Sequence, residues 1–277
     1  MTVHPALEFF RDDSPGVPHL WCAGCGIGQV WYATVTAIDE LGLDTDKVVW
    51  VGGSGCTGRM CTYWNKDVLH TLHGRALAYA TGVKIANPEL TVLVHSGDGE
   101  CMAIGGNHLI QAARRNVDLN VIAVNNFNYG MTGGQFSPTT PRDATTTTSP
   151  YGNLENPFQL AELIETCGGT YVARWTTAHP FQIAKAIKSA IQNKGFSFVE
   201  IVAQCPTQWG KMQGMRSAAD MIRYFREHSV PVAKARSMSE EELAGKIVVG
   251  ELTSKTRPEF VASLHDLTHR LSAERQP

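Results

Sequence analysis

The sequence predicts an α/β protein built on a doubly wound, mostly parallel sheet, and three observations lead there. Short runs of apolar, β-branched residues recur along the chain. Helix-sized segments with apolar residues at helical spacing separate them. The 277 residues, 43% hydrophobic and 18% charged, suffice to bury a large core. A run that is apolar on both faces needs cover on both faces, which a parallel sheet flanked by helices provides.

The elements follow in order. Ile27 to Leu41 reads as a helix, and Lys47 to Val51 (KVVWV) as a buried strand. Leu69 to Lys84, rich in Ala and Leu, reads as the next helix. The strand Thr91 to His95 (TVLVH), the helix Met102 to Arg115 and the strand Leu119 to Asn125 (LNVIAVN) continue the alternation. Gly130 to Pro150 breaks it: glycines come early and a threonine run late. Such a long loop is either a surface connection or a lid or interface loop. Two helices close the pattern, Phe158 to Cys167 and Pro180 to Gln192, the second with Ile183, Ile187 and Ile191 on one face. The strand Phe196 to Ala203 (FSFVEIVA) comes last. Residues 1–210 thus form the α/β domain. From Lys211 the chain turns polar and charged, and 211–277 reads as a C-terminal extension packing on the core or on another subunit. No internal repeat is visible.

The net charge of −2 gives no electrostatic reason to expect nucleic acid or an anionic membrane as partner. No apolar run approaches the roughly 18 residues of a spanning helix, and Met1 to Arg11 lacks a secretory pattern. The cytoplasm is the expected compartment. Seven cysteines, an odd number, do not read as a disulfide framework there and are candidates for metal or redox work.

Two stretches carry chemistry. Gly97-Asp98-Gly99 follows the strand TVLVHS, where such a sheet places its ligand loops. Alone it is more often a turn. Asn125-Asn126 ends the next strand, so Asp98 and Asn126 can offer two oxygens to one magnesium ion, which is commonly held by one or two carboxylates plus phosphates. Cys22-Ala23-Gly24-Cys25 is a close thiol pair, suited to a metal or cluster or to a redox dithiol. Zinc would want a second close pair, which Cys61, Cys101 and Cys167 do not form; these three read as small buried hydrophobes.

The 25 residues between Gly99 and Asn125 make this pattern resemble the thiamine diphosphate motif. Together with GGSGCTGR at 52–59, HTLHGRA at 70–76 and TGGQ at 132–135, the chain is similar to the β subunit of the 2-oxoacid:ferredoxin oxidoreductases, from about Trp21 to Gly210. The resemblance implies a thiamine diphosphate-binding fold. It implies magnesium on Asp98, Asn126 and the backbone carbonyl of Asn128, and a cofactor site that includes Ser54, Gly55, Cys56, Thr57, Gly99, Glu100, Gly130 and Met131. His73 is assigned a catalytic place at the thiamine; Arg59 and Arg75 are candidate partners for an anion. Cys22, Cys25, Cys56 and Cys205 would bind a [4Fe-4S] cluster, which takes four thiolates. The implied reaction is oxidative decarboxylation of a 2-oxoacid, with coenzyme A taking the acyl group and ferredoxin the electrons. An α subunit is expected to supply the carboxylate that assists the aminopyrimidine, so this chain alone is expected to be inactive. With Cys-Ala-Gly-Cys where some relatives have Cys-Pro-Gly-Cys, and Glu100 where others have Asp, the chain looks most similar to the 2-oxoglutarate-specific members, which implies 2-oxoglutarate ahead of pyruvate. A non-redox thiamine-dependent lyase and a noncatalytic metal-binding scaffold are the other readings.

Overall fold

In the computed structural model the described residues are 5–11, 19–215 and 217–274; residues 1–4 of the leading stretch and the last three of the C-terminal segment lie outside them. Eight strands are assigned among the described residues: β1 (Val48–Gly52), β2 (Val68–His70), β3 (Thr91–Gly97), β4 (Asn120–Asn125), β5 (Tyr171–Thr176), β6 (Ser197–Val202), β7 (Ser229–Pro231) and β8 (Ile247–Ser254). They form one sheet in the order β2-β1-β3-β4-β6-β5-β8-β7. Only the β5–β8 pairing is antiparallel.

Strands β1, β4 and β6 are buried along their whole length, as continuous apolar runs require of a sheet covered on both sides. One core lies between the sheet and the helices Ile27–Glu40 and Pro180–Gln192. A second core lies on the opposite face, under Ala76–Ala86, Gly106–Arg115 and Leu160–Cys167. Cys61 and Cys101 are buried in these two cores.

Three expectations need correction, and one strand, β5, has no counterpart among them. Leu69 to Lys84 is not one helix: the β-branched Val68 opens edge strand β2, Gly74 takes a positive φ of 69° that interrupts helical continuation, and the helix begins at Ala76. The segment expected as the helix Met102 to Arg115 starts as a π turn over Glu100–Ile104 before the α-helix from Gly106. Strand β5 was hidden by Arg174, a charge in an otherwise apolar run; Arg174 is nevertheless buried, its guanidinium held by Glu200 at 2.7 Å and by Glu162. The segment after Lys211 does more than pack on the core, since β8 hydrogen-bonds to β5 and extends the sheet.

The connectivity places the ligand crevice. From β1 the chain runs outward to β2, whereas from β3 it runs the other way to β4, so the carboxyl ends of β1 and β3 diverge at a switch point. The register pairs Gly52 with His95 and Gly97 with Val124, which sets the turns after β1, β3 and β4 side by side.

Candidate functional site: two adjoining cavities

The turn after β3 carries Asp98, 2% exposed. Its Oδ2 accepts hydrogen bonds from Ser137 Oγ at 2.6 Å and Thr139 Oγ1 at 2.5 Å. Burial pushes its carboxyl up to about 6, opposed by those hydroxyls and by the N–H groups of Gly99 and Asn126. Gly99 has no space for a side chain: a Cβ there would overlap the ring of Tyr129, whose hydroxyl donates to the Gly99 carbonyl at 2.9 Å.

After β4, Asn125 Oδ1 accepts from the Phe127 N–H at 3.2 Å, and Phe127 sits at φ 62°, a left-handed conformation uncommon for an aromatic residue. Asn128 Nδ2 donates to the Asn126 carbonyl at 2.6 Å. Asn128 Oδ1 is buried with no hydrogen-bond partner. This orphaned oxygen belongs to the side chain of Asn128 rather than to the backbone carbonyl expected as the ligand; it lines the same cavity as the buried Asp98 carboxylate, and both are oxygen donors of the kind a hard cation takes.

Glu100 is an anchor. Its Oε1 accepts from the N–H groups of Ser54 at 2.8 Å and Gly74 at 3.1 Å, and its Oε2 from Ser96 Oγ at 3.1 Å. One side chain thereby ties the turns after β1 and β2 to β3. Gly53 makes room for it, since a Cβ there would overlap the carboxylate. Burial raises the pKa of Glu100 against these hydrogen bonds. His73 Nδ1 lies 4.0 Å from Glu100 Oε1, and its ring is 6.3 Å from that of Tyr129.

One cavity of about 280 Å³ gathers these groups: Ser54, Gly55, Cys56, Thr57, His73, Asp98, Gly99, Glu100, Asn126, Asn128, Gly130 and Met131 all line it. Tyr129 and Thr132 line it too. A second cavity of about 320 Å³ is lined by Cys22, Cys25, Cys56 and Cys205, together with Trp21 and Arg59. Cys56, Asn126, Gly130 and Met131 line both, so the two cavities share a wall.

Local bonds bring these remote thiols together. Gly26 N–H donates to the Gln204 carbonyl at 3.0 Å, joining the Cys22–Cys25 turn to the segment before Cys205. Trp21 Nε1 donates to the Cys56 carbonyl at 2.9 Å. Gly24 takes a positive φ of 75° in that turn, and a Cβ would overlap Ala218. Burial pushes the thiol of Cys25 up to about 12 and that of Cys56 up to about 11, with neighbouring cysteines adding to both. Thiols raised in this way have to give up their protons before they can ligate a metal. No three His, Cys, Asp or Glu side chains converge on a single ion among the described residues. That disfavours a closed zinc site, whereas a cubane cluster takes one thiolate on each of four irons.

Neither arginine expected as an anion partner lines the first cavity. Arg59 lines the thiol cavity, and Arg75 donates to the carbonyls of Gly74 at 3.3 Å and Ile104 at 3.2 Å. Sequence reading missed Ser137 and Thr139, which come from the segment expected as a long loop. The one available signal was Ser-Pro-Thr-Thr at 137–140, a polar cluster with nothing in the local pattern to say what it grips.

Residues 51–201 match the family described as thiamine pyrophosphate enzyme, C-terminal TPP binding domain. The chain is 51% identical over 272 residues to 2-oxoglutarate synthase subunit KorB of Methanocaldococcus jannaschii, covering 98% of this chain and 100% of that one. It is 43% identical over 189 residues to the 2-oxoacid:ferredoxin oxidoreductase subunit beta of Saccharolobus solfataricus, covering 68% of this chain and 62% of that one. A solved structure of 2-oxoglutarate:ferredoxin oxidoreductase from Magnetococcus marinus, with 2-oxoglutarate, coenzyme A and succinyl-CoA bound, superposes with a TM-score of 0.86 at 32% identity, covering 100% of this chain and 98% of that one.

Proposed function

This chain belongs to the β subunits of the 2-oxoacid:ferredoxin oxidoreductases, and we propose on that premise that it holds the thiamine diphosphate and iron–sulfur half-sites of an enzyme acting on 2-oxoglutarate. The reaction is oxidative decarboxylation to succinyl-CoA and carbon dioxide, with electrons leaving to ferredoxin, or the reverse carboxylation. The observation that carries this reading is the shared wall: a cavity with a buried carboxylate and an orphaned amide oxygen meets a cavity lined by four cysteines.

Thiamine diphosphate, when bound, would supply carbanion chemistry toward the ketone of a 2-oxoacid, and a [4Fe-4S] cluster would supply one-electron acceptance. The residues of this chain do the positioning. Asp98, Asn126 and Asn128 hold the magnesium, and Gly99 and Gly130 keep the diphosphate wall free of side chains. Ser54 to Thr57 line the same cavity, and Cys56 lines both cavities. His73, half-exposed and 4.0 Å from Glu100, is assigned the hydrogen bond to a substrate oxygen. Cys22, Cys25, Cys56 and Cys205 hold the [4Fe-4S] cluster. The cytoplasm, where thiols stay reduced, suits that ligand set, and no helix among the described residues is long and apolar enough to cross a membrane.

An α subunit completes the site. The two carboxylates in the cofactor cavity are committed, Asp98 to hydroxyls and the metal and Glu100 to backbone N–H groups, so neither is left for the aminopyrimidine. The relatives bear subunit names, which accords with a partner chain.

The test is reduction of a viologen by the anaerobically purified complex with its α subunit, offered 2-oxoglutarate or pyruvate with and without coenzyme A. The expected result is coenzyme A-dependent reduction, faster with 2-oxoglutarate. A preference for pyruvate would reassign the substrate, and carbon dioxide release without viologen reduction would support a non-redox lyase.

A further inference from the structure

We infer that the turn Ser137–Thr140 is the positioning element of the metal site, setting the carboxylate of Asp98 with the hydroxyls of Ser137 and Thr139 and the backbone of Phe127 with the hydroxyl of Thr140. The inference rests on the magnesium site proposed above.

The segment Gly130–Pro150 folds back on itself. Thr140 N–H donates to the Ser137 carbonyl at 3.0 Å, and Asn153 Nδ2 donates to the carbonyl of Thr140 at 2.9 Å. This places three hydroxyl groups, all 3% exposed or less, against the two arms of the metal site. A hydroxyl has a single proton to give. Ser137 gives its proton to Asp98 Oδ2, and Thr139 gives its proton to the same oxygen. Both donors fall on Oδ2, so the carboxylate cannot rotate without breaking two charge-assisted hydrogen bonds, and Oδ1 is left with no side-chain partner among the described residues.

The second arm is the Asn126–Asn128 turn. Thr140 Oγ1 donates to the Phe127 carbonyl at 2.6 Å and accepts from the Ser137 N–H at 2.8 Å. Phe127 is the residue in the left-handed conformation, and it stands between the two asparagines of the site. A non-glycine residue keeps such a conformation only where its surroundings over-determine it. The Thr140 hydroxyl on its carbonyl and Asn125 Oδ1 on its N–H supply that restraint from both ends. One four-residue turn thus fixes the distance between the carboxylate after β3 and the amide oxygens after β4. Partners that orient a metal ligand from behind affect metal affinity by about 10- to 100-fold.

The test uses the complex with the α subunit and Mn²⁺ as a paramagnetic stand-in for magnesium. Free Mn²⁺ is counted by its electron paramagnetic resonance signal in the presence of thiamine diphosphate, and thermal unfolding is followed on the same samples. Thr139→Val and Ser137→Ala are each expected to weaken Mn²⁺ binding by about 10- to 100-fold, whereas Thr139→Ser, which keeps the hydroxyl, is expected to bind close to wild type. A merely structural role would lower the unfolding temperature while leaving the Mn²⁺ affinity of the folded protein intact, and that result overturns the inference. If Thr139→Val does not fold, Ser137→Ala and the Thr140→Val and Thr140→Ser pair carry the decision by the same criterion. Wild type that binds no Mn²⁺ overturns the underlying magnesium assignment instead, so the two failures are distinct.

Discussion

Asp98 concentrates the electrostatics of the site. Its carboxyl, raised by burial from an ordinary 3.8 to about 6, binds its proton more tightly in the folded chain than in the unfolded one. Its contribution to the stability of the metal-free protein is therefore present below pH 3.8 and is lost as the pH rises through about 6. The loss is on the order of 3 kcal/mol. Urea titrations of metal-free wild type and Asp98→Asn across this window should diverge, with wild type losing stability relative to the variant as pH increases; parallel curves would contradict the assignment. Asp98→Asn should also abolish magnesium-dependent binding of thiamine diphosphate, measured by calorimetry on the complex, because the amide keeps the volume and loses the charge. The raised thiols of Cys25 and Cys56 give a second expectation of defined sign. Cluster assembly has to remove their protons, so iron uptake during anaerobic reconstitution should increase between about pH 7 and pH 8.5, and Cys56→Ser should lose most of its iron, read by metal and sulfide analysis.

At the level of elements, the buried strands and their ligand turns were legible in the sequence because both obey local rules. KVVWV, TVLVH, LNVIAVN and FSFVEIVA are apolar on both faces, and each lies on a strand of the sheet. Gly-Asp-Gly and the paired asparagines fall at the ends of adjacent strands because their spacing matches one strand–helix–strand unit. What escaped reading depends on partners far along the chain. Strand β5 is identifiable only once Glu200 and Glu162 neutralise Arg174, and β8 is hidden in a charged stretch because it lies beyond the parallel core and pairs antiparallel. The Ser137–Thr140 turn looks like any polar loop until Asp98 is placed beside it. The Arg174–Glu200 pair makes the point measurable. Arg174→Leu leaves Glu200, 2% exposed, without its cation and should cost about 3–5 kcal/mol in a urea titration. The double variant Arg174→Leu with Glu200→Leu should recover much of that loss, and equal costs for single and double variants would contradict the pairing.

Across the whole molecule, the topology decides where chemistry can happen. The divergence of the chain at β1 and β3 opens one crevice, and the turns after β1, β3 and β4 supply its walls. The junction between the Cys22–Cys25 turn and Cys205 builds the second cavity against the same wall through Cys56. Both committed carboxylates leave the aminopyrimidine to a partner, so the β chain alone should neither decarboxylate nor reduce a viologen, and activity should appear on adding the α subunit. Whether electrons cross the wall between the two cavities is read by electron paramagnetic resonance of the anaerobic complex. Addition of 2-oxoglutarate and coenzyme A should produce the signal of a reduced [4Fe-4S] cluster in wild type, and in Asp98→Asn that signal should appear with dithionite but not with substrate. A sample that holds no iron, or a cluster in wild type that dithionite reduces and substrate does not, would rule out a cluster wired to the thiamine site.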